Sequence, residues 1–172
     1  VAKGRLVRLR EKQLDDARRD YEWRKDRELA AYDATRPITM TYRAFVETLS
    51  EDLRHPSTYR RAFAIEELES GTHIGNIMYY GYDSSLGEVE LGITIGDRTY
   101  WGKGYGSDAV RGLLRYVFYD LGLRRVYLHT LTSNIRAQRA FHRAGFRRTC
   151  EVRRDGYDFA RMEITGEDFE AR

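Results

Sequence analysis

A glycine-rich stretch in the second half of the chain constrains the fold most strongly. Residues 101–107 read Trp-Gly-Lys-Gly-Tyr-Gly-Ser, between a strand-like run, 88–95, and a helix-like run, 108–121. Glycines allow tight turns and a close approach of the backbone to a ligand. The start of the following helix offers unpaired N–H groups and the positive end of the helix dipole. The segment therefore predicts either a cradle for a phosphate group or an ordinary turn.

The spacing of these glycines does not decide between the two. Gly102, Gly104 and Gly106 fit neither the dinucleotide pattern G-x-G-x-x-G nor the P-loop pattern G-x-x-x-x-G-K-[ST]. Ser107 is the predicted N-cap of the helix, from where its hydroxyl could also donate to a bound anion. The phosphate cradle and the turn both stay open at this point.

Length and composition narrow the class of protein. The 172 residues suit one domain, 1–172, and no apolar run approaches the roughly 20 residues that span a bilayer. The N-terminus leads into no signal-peptide core, and the single Cys150 permits no internal disulfide and no metal cluster. A cytoplasmic protein without a metal is therefore the expectation. The 30 basic and 27 acidic residues are nearly balanced, which argues against a nucleic-acid partner.

The order of predicted elements indicates a mixed α/β (α+β) fold. A first strand, a helical region, a three-stranded meander, the glycine-rich turn, a helix, a strand, a short helix and a hairpin follow one another. Asp155-Gly156 predicts the turn of the final hairpin, and Cys150 is expected to be buried in one of its strands. The stretch Tyr32–Thr41 predicts either one wall of a binding site or an ordinary connection between helices.

Several motifs in this order carry a resemblance to a known family. They are the segment Glu90–Ile95 (Glu-Leu-Gly-Ile-Thr-Ile), the segment Trp101–Gly106, Asn134 and the pair Gly145-Phe146. Together they resemble the GNAT superfamily of acetyl-CoA-dependent N-acetyltransferases. Within it, the chain is similar to the branch of ribosomal-protein N-terminal and spermidine acetyltransferases. The resemblance covers nearly the whole chain, although Trp101 stands where the family pattern [QR]-x-x-G-x-[GA] begins with glutamine or arginine.

The resemblance implies a splayed, mixed sheet of seven strands, largely antiparallel and flanked by about four helices. Acetyl-CoA would lie where the strand near 88–95 parts from the strand near 126–131. The first strand would pair with the pantetheine amides, the glycine-rich segment would hold the pyrophosphate, and the last helix would face the cosubstrate. The residues implied are Ile93, Thr94, Ile95, Trp101, Gly102, Lys103, Gly104, Tyr105, Gly106, Ser107, Asn134 and Arg139.

The candidate catalytic residues depart from the family pattern. Phe141 and Ala137 stand where relatives carry a tyrosine or a serine as general acid, so no acid carries over. Glu90 is the candidate base, acting through a water molecule, and the alternative is a rim carboxylate in an ion pair. His129 lies on the strand beside the gap, where a lone histidine is more often structural than catalytic.

The resemblance implies an acyltransferase that moves an acetyl group from acetyl-CoA to a primary amine. A protein N-terminus, a polyamine or another small amine would be the acceptor, and a homodimer can form in such relatives. Because both hydroxyls are missing, an acyl-CoA-binding sensor with little turnover is the alternative. A nucleic-acid-binding module is a third hypothesis, which the charge balance opposes. No residue pattern identifies the acceptor amine.

Overall fold

One eight-stranded sheet runs through the molecule, as seen in a computed structural model that describes all 172 residues. The strands are β1 (Ala2–Lys3), β2 (Val7–Glu11), β3 (Arg61–Glu67), β4 (His73–Asp83), β5 (Glu88–Ile95), β6 (Arg125–Leu131), β7 (Arg147–Arg154) and β8 (Tyr157–Thr165). They lie in the order β1-β2-β3-β4-β5-β6-β8-β7. Every neighbouring pair is antiparallel except β5 and β6, which are parallel.

Six α-helices flank the sheet. They are α1 (Ala17–Lys25), α2 (Arg27–Tyr32), α3 (Tyr42–Arg54), α4 (Tyr105–Arg115), α5 (Ile135–Ala144) and α6 (Gly166–Glu170). A π-helical turn, Tyr116–Asp120, extends α4, and short 3-10 turns precede α1 and the glycine-rich segment. None of the helices combines the length and the apolarity that crossing a bilayer requires.

The prediction of a mixed, largely antiparallel sheet is confirmed, but seven strands and four helices are too few. The additional strand β1 has only two residues, which is too short for any periodicity to show. The predicted helical region near 13–31 divides at Asp26, whose carboxylate accepts the N–H groups of Glu28 and Leu29 and so begins α2. The short α6 was also missed because five residues carry no helical period.

The core lies between α4 and the sheet. Val89 and Leu91 of β5 alternate toward it, and Leu113 and Leu114 of α4 pack there without exposed surface. Asp108 fixes the start of α4, because its buried carboxylate accepts the N–H groups of three consecutive residues, Arg5 to Val7, at 2.8 to 3.2 Å. The N-terminal segment therefore holds the first turn of α4 in place.

The final hairpin confirms one prediction and overturns another. Asp155 and Gly156 have φ values of 51° and 81°, the two positive values that a tight Asp-Gly turn between strands requires. Cys150, expected to be buried, is exposed. The physical reason is that β7 is the edge strand of the sheet, so it has a neighbouring strand, β8, on one side only.

A buried carboxylate, Asp16, joins β2 to the start of α1. It accepts two hydrogen bonds from the guanidinium of Arg10, at 2.8 and 3.0 Å, and one from the backbone N–H of Gln13 at 2.8 Å. Burial by itself would raise the pKa of Asp16, but these hydrogen bonds outweigh burial and lower the pKa to about 2. The ionised form is therefore the one that the fold stabilises.

We expect Asp16→Asn to lower the free energy of unfolding by about 2 kcal/mol at pH 7. A carboxyl whose pKa is depressed by folding stabilises the protein above its unfolded pKa and loses that contribution as the pH falls through the folded value. The difference between variant and wild type should therefore shrink between about pH 4 and pH 2. Urea unfolding at several pH values measures this, with the exposed neighbour Asp15→Asn as control. A difference that does not change with pH contradicts the prediction.

Candidate active site

β5 and β6 pair over only a few residues and then separate. The parallel register runs from Glu88 opposite Arg125 to Glu90 opposite Tyr127 and stops there. Both strands continue beyond this point without pairing each other. Alternate N–H and C=O groups of residues 91–95 therefore face a wedge-shaped gap instead of a neighbouring strand.

A cavity of about 400 Å³ occupies this gap. Its walls come from α2 and the loop after it, from β5 and β6, from the glycine-rich segment and from one face of α5. The predicted cosubstrate residues that line it are Ile93, Thr94, Ile95, Trp101, Gly102, Gly104, Gly106, Ser107 and Asn134. The structure thus brings most of the predicted residues together around a single cavity.

Lys103, Tyr105 and Arg139 do not line this cavity. Arg139 borders a neighbouring surface groove, to which Arg143 also contributes, and the placement of Arg139 on the cosubstrate side of α5 stays a prediction. Arg136 and Arg143 line the cavity. Their separation of seven residues puts both on one face of the helix.

Arg136 is a candidate binding residue that the sequence analysis missed. Its guanidinium lies 3.6 Å from the ring centre of Trp101 and 5.2 Å from that of Tyr32. The Nε1–H of Trp101 donates to the carbonyl oxygen of Ile95 at 2.7 Å, which fixes the indole at the end of β5. Asn134 caps the start of α5, and Arg136 follows it by two residues, in the first turn of the helix. That spacing was the signal in the sequence that could have identified Arg136.

The start of α4 turns free N–H groups toward the cavity. Gly104, with a φ of 89°, is the N-cap, and the first intrahelical bond runs from Asp108 N–H to Gly104 C=O. The N–H groups of residues 105–107 therefore have no acceptor within the helix. A Cβ added at Gly106 would meet only the side chain of Ile95, at 3.7 Å, so this position is open. These features favour the phosphate cradle over the ordinary turn.

Ser107 is not the N-cap that the sequence predicted. It lies within the first turn of α4, because the positive φ of Gly104 starts the helix three residues earlier. Its buried hydroxyl donates to the carbonyl oxygen of Ala140 at 3.5 Å, which ties α4 to α5. The residue still lines the cavity.

Glu90 and His129 form a pair at the narrow end of the gap. Nδ1 of His129 lies 2.7 Å from Oε1 of Glu90, and the two side chains are 8% and 13% exposed. His129 lines the cavity and Glu90 does not. From sequence alone, Glu90 and His129 are separate candidates. Both residues lie on the same face of two parallel strands, and this was the sequence signal for a contact between them. The signal could be used only once the register of β5 and β6 was known.

Arg154 defines the tautomer of this histidine. Its Nη2 lies 3.3 Å from Nε2 of His129. A guanidinium can only donate hydrogen bonds, so Nε2 is the accepting nitrogen and Nδ1–H donates to Glu90. In this arrangement Nε2 is the accepting nitrogen of His129, and the carboxylate of Glu90 holds the opposite side of the ring.

Two tyrosines flank the Glu90–His129 pair. Tyr80 lies opposite Glu90 in the register of β4 and β5, and Tyr127 lies opposite Glu90 in that of β5 and β6. Burial, and then the negative charge of Glu90, raise the pKa of both phenols. Both hydroxyls therefore stay protonated near neutral pH and can act as hydrogen-bond donors.

The stretch Tyr32–Thr41 forms part of one cavity wall. Of the two interpretations of this segment, a wall of a binding site and an ordinary connection between helices, the structure favours the first. Tyr32, Asp33 and Thr35 line the cavity. The carboxylate of Asp33 accepts the hydroxyl of Thr94 at 3.0 Å. On the opposite wall Phe141 and Ala137 line the cavity, and neither has a hydroxyl.

Comparison with known proteins identifies related chains. Residues 6–147 match the family described as "Acetyltransferase (GNAT) domain". The uncharacterised N-acetyltransferase p20 of Bacillus licheniformis is 32% identical over 120 residues, which are 69% of this chain and 66% of that protein. The chain thus spans just under two thirds of that relative's length.

Solved structures share the fold over nearly the whole chain. Spermidine N-acetyltransferase from Vibrio cholerae, in complex with CoA and spermine, has a TM-score of 0.84 and 22% identity, over 96% of this chain and 98% of that one. An acetyltransferase of the GNAT family from Bacillus anthracis has a TM-score of 0.80 and 18% identity, over 96% and 98%. At these identities the likeness establishes the fold.

Proposed function

Because the chain belongs to the acetyltransferase (GNAT) family, a family of acyltransferases, we propose that it transfers an acetyl group from acetyl-CoA to a primary amine. His129 is the proton acceptor in this proposal, and Glu90 is the residue that positions it. The observation that carries the proposal is the place of this pair. It lies at the narrow end of a cavity whose other end is formed by the free N–H groups of α4.

The residues of the cavity suit a coenzyme A thioester. The N–H groups of residues 105–107 and the positive end of α4 would bind its diphosphate. The unpaired backbone of residues 91–95 would pair with the amides of its pantetheine arm, as a missing strand would. Arg136, stacked on Trp101, adds a positive charge on the same side. The V. cholerae relative that shares the fold was solved with CoA, which supports this assignment.

The chemistry requires a neutral amine beside an activated carbonyl. When bound, acetyl-CoA supplies the thioester carbonyl that accepts the amine. The amine arrives mostly as an ammonium ion, so a proton must leave before nitrogen can attack. Nε2 of His129 takes this proton, and the carboxylate of Glu90 stabilises the resulting imidazolium through Nδ1–H.

The same proton can complete the reaction. As the nitrogen–carbon bond forms, the nitrogen releases its second proton to water, the carbon–sulfur bond breaks, and the proton held by His129 is available to the departing sulfur. A thiolate is also a good leaving group near neutral pH. Phe141 and Ala137, which lack hydroxyls, are therefore compatible with turnover. Polyamines are among the candidate acceptors because the V. cholerae relative was solved with spermine. The single domain 1–172, the cytoplasmic location and the homodimer stay predictions.

We expect the purified protein to release free CoA thiol from acetyl-CoA only when an accepted amine is present, with one acetylated amine formed per thiol. A thiol-release assay with free peptide N-termini, polyamines and amino acids, combined with mass spectrometry of the products, measures this. Calorimetry with acetyl-CoA alone is the control for binding. Tight binding without thiol release from any amine class would instead support the acyl-CoA sensor, which the missing hydroxyls of Phe141 and Ala137 favour.

A further inference from the structure

One arginine beside the Glu90–His129 pair has no carboxylate partner. On β5, β6 and β8, the other charged side chains of this sheet face are paired with one another. The pairs are Glu88–Arg125 at 3.7 Å, Arg161–Glu163 at 3.4 Å and Glu90–His129 at 2.7 Å. Arg154, at the end of β7, donates instead to Nε2 of His129. Its guanidinium therefore lies next to the base without an ion-pair partner, and the carboxylate of Glu90 lies at the far side of the imidazole.

Arg154 is exposed at the end of β7 and reaches a residue of the cavity. Its Nη2 lies 3.3 Å from Nε2 of His129, which lines the cavity. The ring of Phe159, which lines the cavity, packs edge-on against His129. The neighbouring Arg153 points to the opposite face of β7 and pairs with Asp158 at 3.0 Å. Only Arg154 is therefore available to a molecule that approaches His129.

We propose that Arg154 binds a carboxylate on the carbon next to the reacting amine, so that the acceptor is an α-amino acid. This inference rests on the proposed acetyl transfer. An arginine fork binds carboxylates in a bidentate manner. In an α-amino acid, the nitrogen and the carboxylate oxygens are separated by about 3 Å. Nε2 of His129 and Nη2 of Arg154, which are 3.3 Å apart in the free protein, are near enough to contact these two groups of one molecule at the same time.

The same charge disfavours the other acceptor classes. A polyamine has no anion for Arg154, and its cationic nitrogens would lie near a fixed positive charge. A peptide N-terminus has a neutral amide at the position of the carboxylate. An incoming amine that bonds to Nε2 of His129 would release Arg154 from that nitrogen, and the carboxylate would then be the partner that the guanidinium lacks.

The first experiment compares matched acceptors in the thiol-release assay. Each of the standard L-amino acids is tested, and the best one is compared with its amide and with its decarboxylated amine, with spermidine alongside. We expect kcat/KM for the acid to exceed that for the amide and for the amine by at least about 10-fold. The amine of the amide is less basic and so more often neutral, hence a preference for the acid cannot come from amine basicity.

The second experiment compares Arg154→Gln with the neighbouring Arg153→Gln. The first variant should lower the ratio of kcat/KM for the acid to kcat/KM for the amide by about 10- to 100-fold, because a change that acts through His129 affects both substrates alike. Arg153→Gln should keep the wild-type preference, because that side chain faces away from the cavity. Both positions are exposed at the end of an edge strand, so both variants should fold.

Each outcome has a distinct meaning. Equal or better turnover of the amide or of spermidine by the wild type would overturn the inference and leave acetyl transfer intact. A preference for the acid that survives in Arg154→Gln would also overturn it, because the carboxylate would then be bound elsewhere. If acetyl-CoA binds and no amine is acetylated, the proposed function itself fails, and the inference fails with it.

Discussion

Replacing His129 by alanine should lower kcat/KM for any accepted amine by about 10²- to 10⁴-fold at pH 7, the range that general-base catalysis contributes. The imidazole lines the cavity, with Nδ1 hydrogen-bonded to Glu90 and Nε2 on the side that Arg154 contacts. Without it, only amine molecules that are already neutral can react. The deficit should therefore shrink as the pH rises.

The control for this experiment is Glu90→Gln, which keeps the shape of the partner and removes its charge. We expect a smaller loss than for His129→Ala, again larger at low pH, because Glu90 acts through the ring and not on the amine. Acetyl-CoA affinity, measured by calorimetry, should stay the same in both variants. Urea unfolding shows whether either variant has lost its fold. A deficit of equal size at every pH would exclude His129 as the base.

The second large effect is expected at the cradle, where Gly106→Glu should weaken acetyl-CoA binding by more than about 100-fold. Gly106 lines the cavity in the first turn of α4, among N–H groups that have no acceptor within the helix. A carboxylate there would occupy the diphosphate position and repel the ligand's charge. Because its φ is not positive, unlike that of Gly104, the new side chain adds no backbone strain.

Two further substitutions at the same position separate bulk from charge. Gly106→Ala should bind acetyl-CoA with a modest loss, since the added Cβ meets only Ile95 at 3.7 Å, and should stabilise α4 by up to about 1 kcal/mol. Gly106→Gln adds the bulk of glutamate without its charge and should fall between the other two. Isothermal calorimetry measures all three dissociation constants. An affinity for Gly106→Glu close to that of wild type would mean that the diphosphate is bound elsewhere.

Many local features were predictable from sequence because they depend on residues a few positions apart. The alternation of Val89 and Leu91 places β5 against the core, and Asp155-Gly156 closes the last hairpin. Thr41 and Asn134 cap α3 and α5 in the same local way, since each side chain accepts an N–H three residues later. In each case, backbone sterics or a hydrogen bond within one turn is sufficient to specify the structure.

The candidate site was only partly predictable, and the reason is the same throughout. Arg136 and Arg139 are both plausible from spacing, and only the packing of α5 on the gap shows that Arg136 lines the cavity. The position of Cys150 depends on the sheet order, which puts β7 at an edge. Similarly, Ser107 was misplaced as a cap because the helix start depends on the φ of Gly104.

By itself, the sequence determined the elements, their order, the turn chemistry and the family to which the motifs belong. The tertiary structure alone decided that Glu90, His129 and Arg154 meet, since they come from three strands and up to 64 positions apart in the chain. Periodic patterns specify which face of a strand a residue occupies, but not which strand lies beside it. That depends on where β5 and β6 stop pairing, and on the way the β7–β8 hairpin returns along β6.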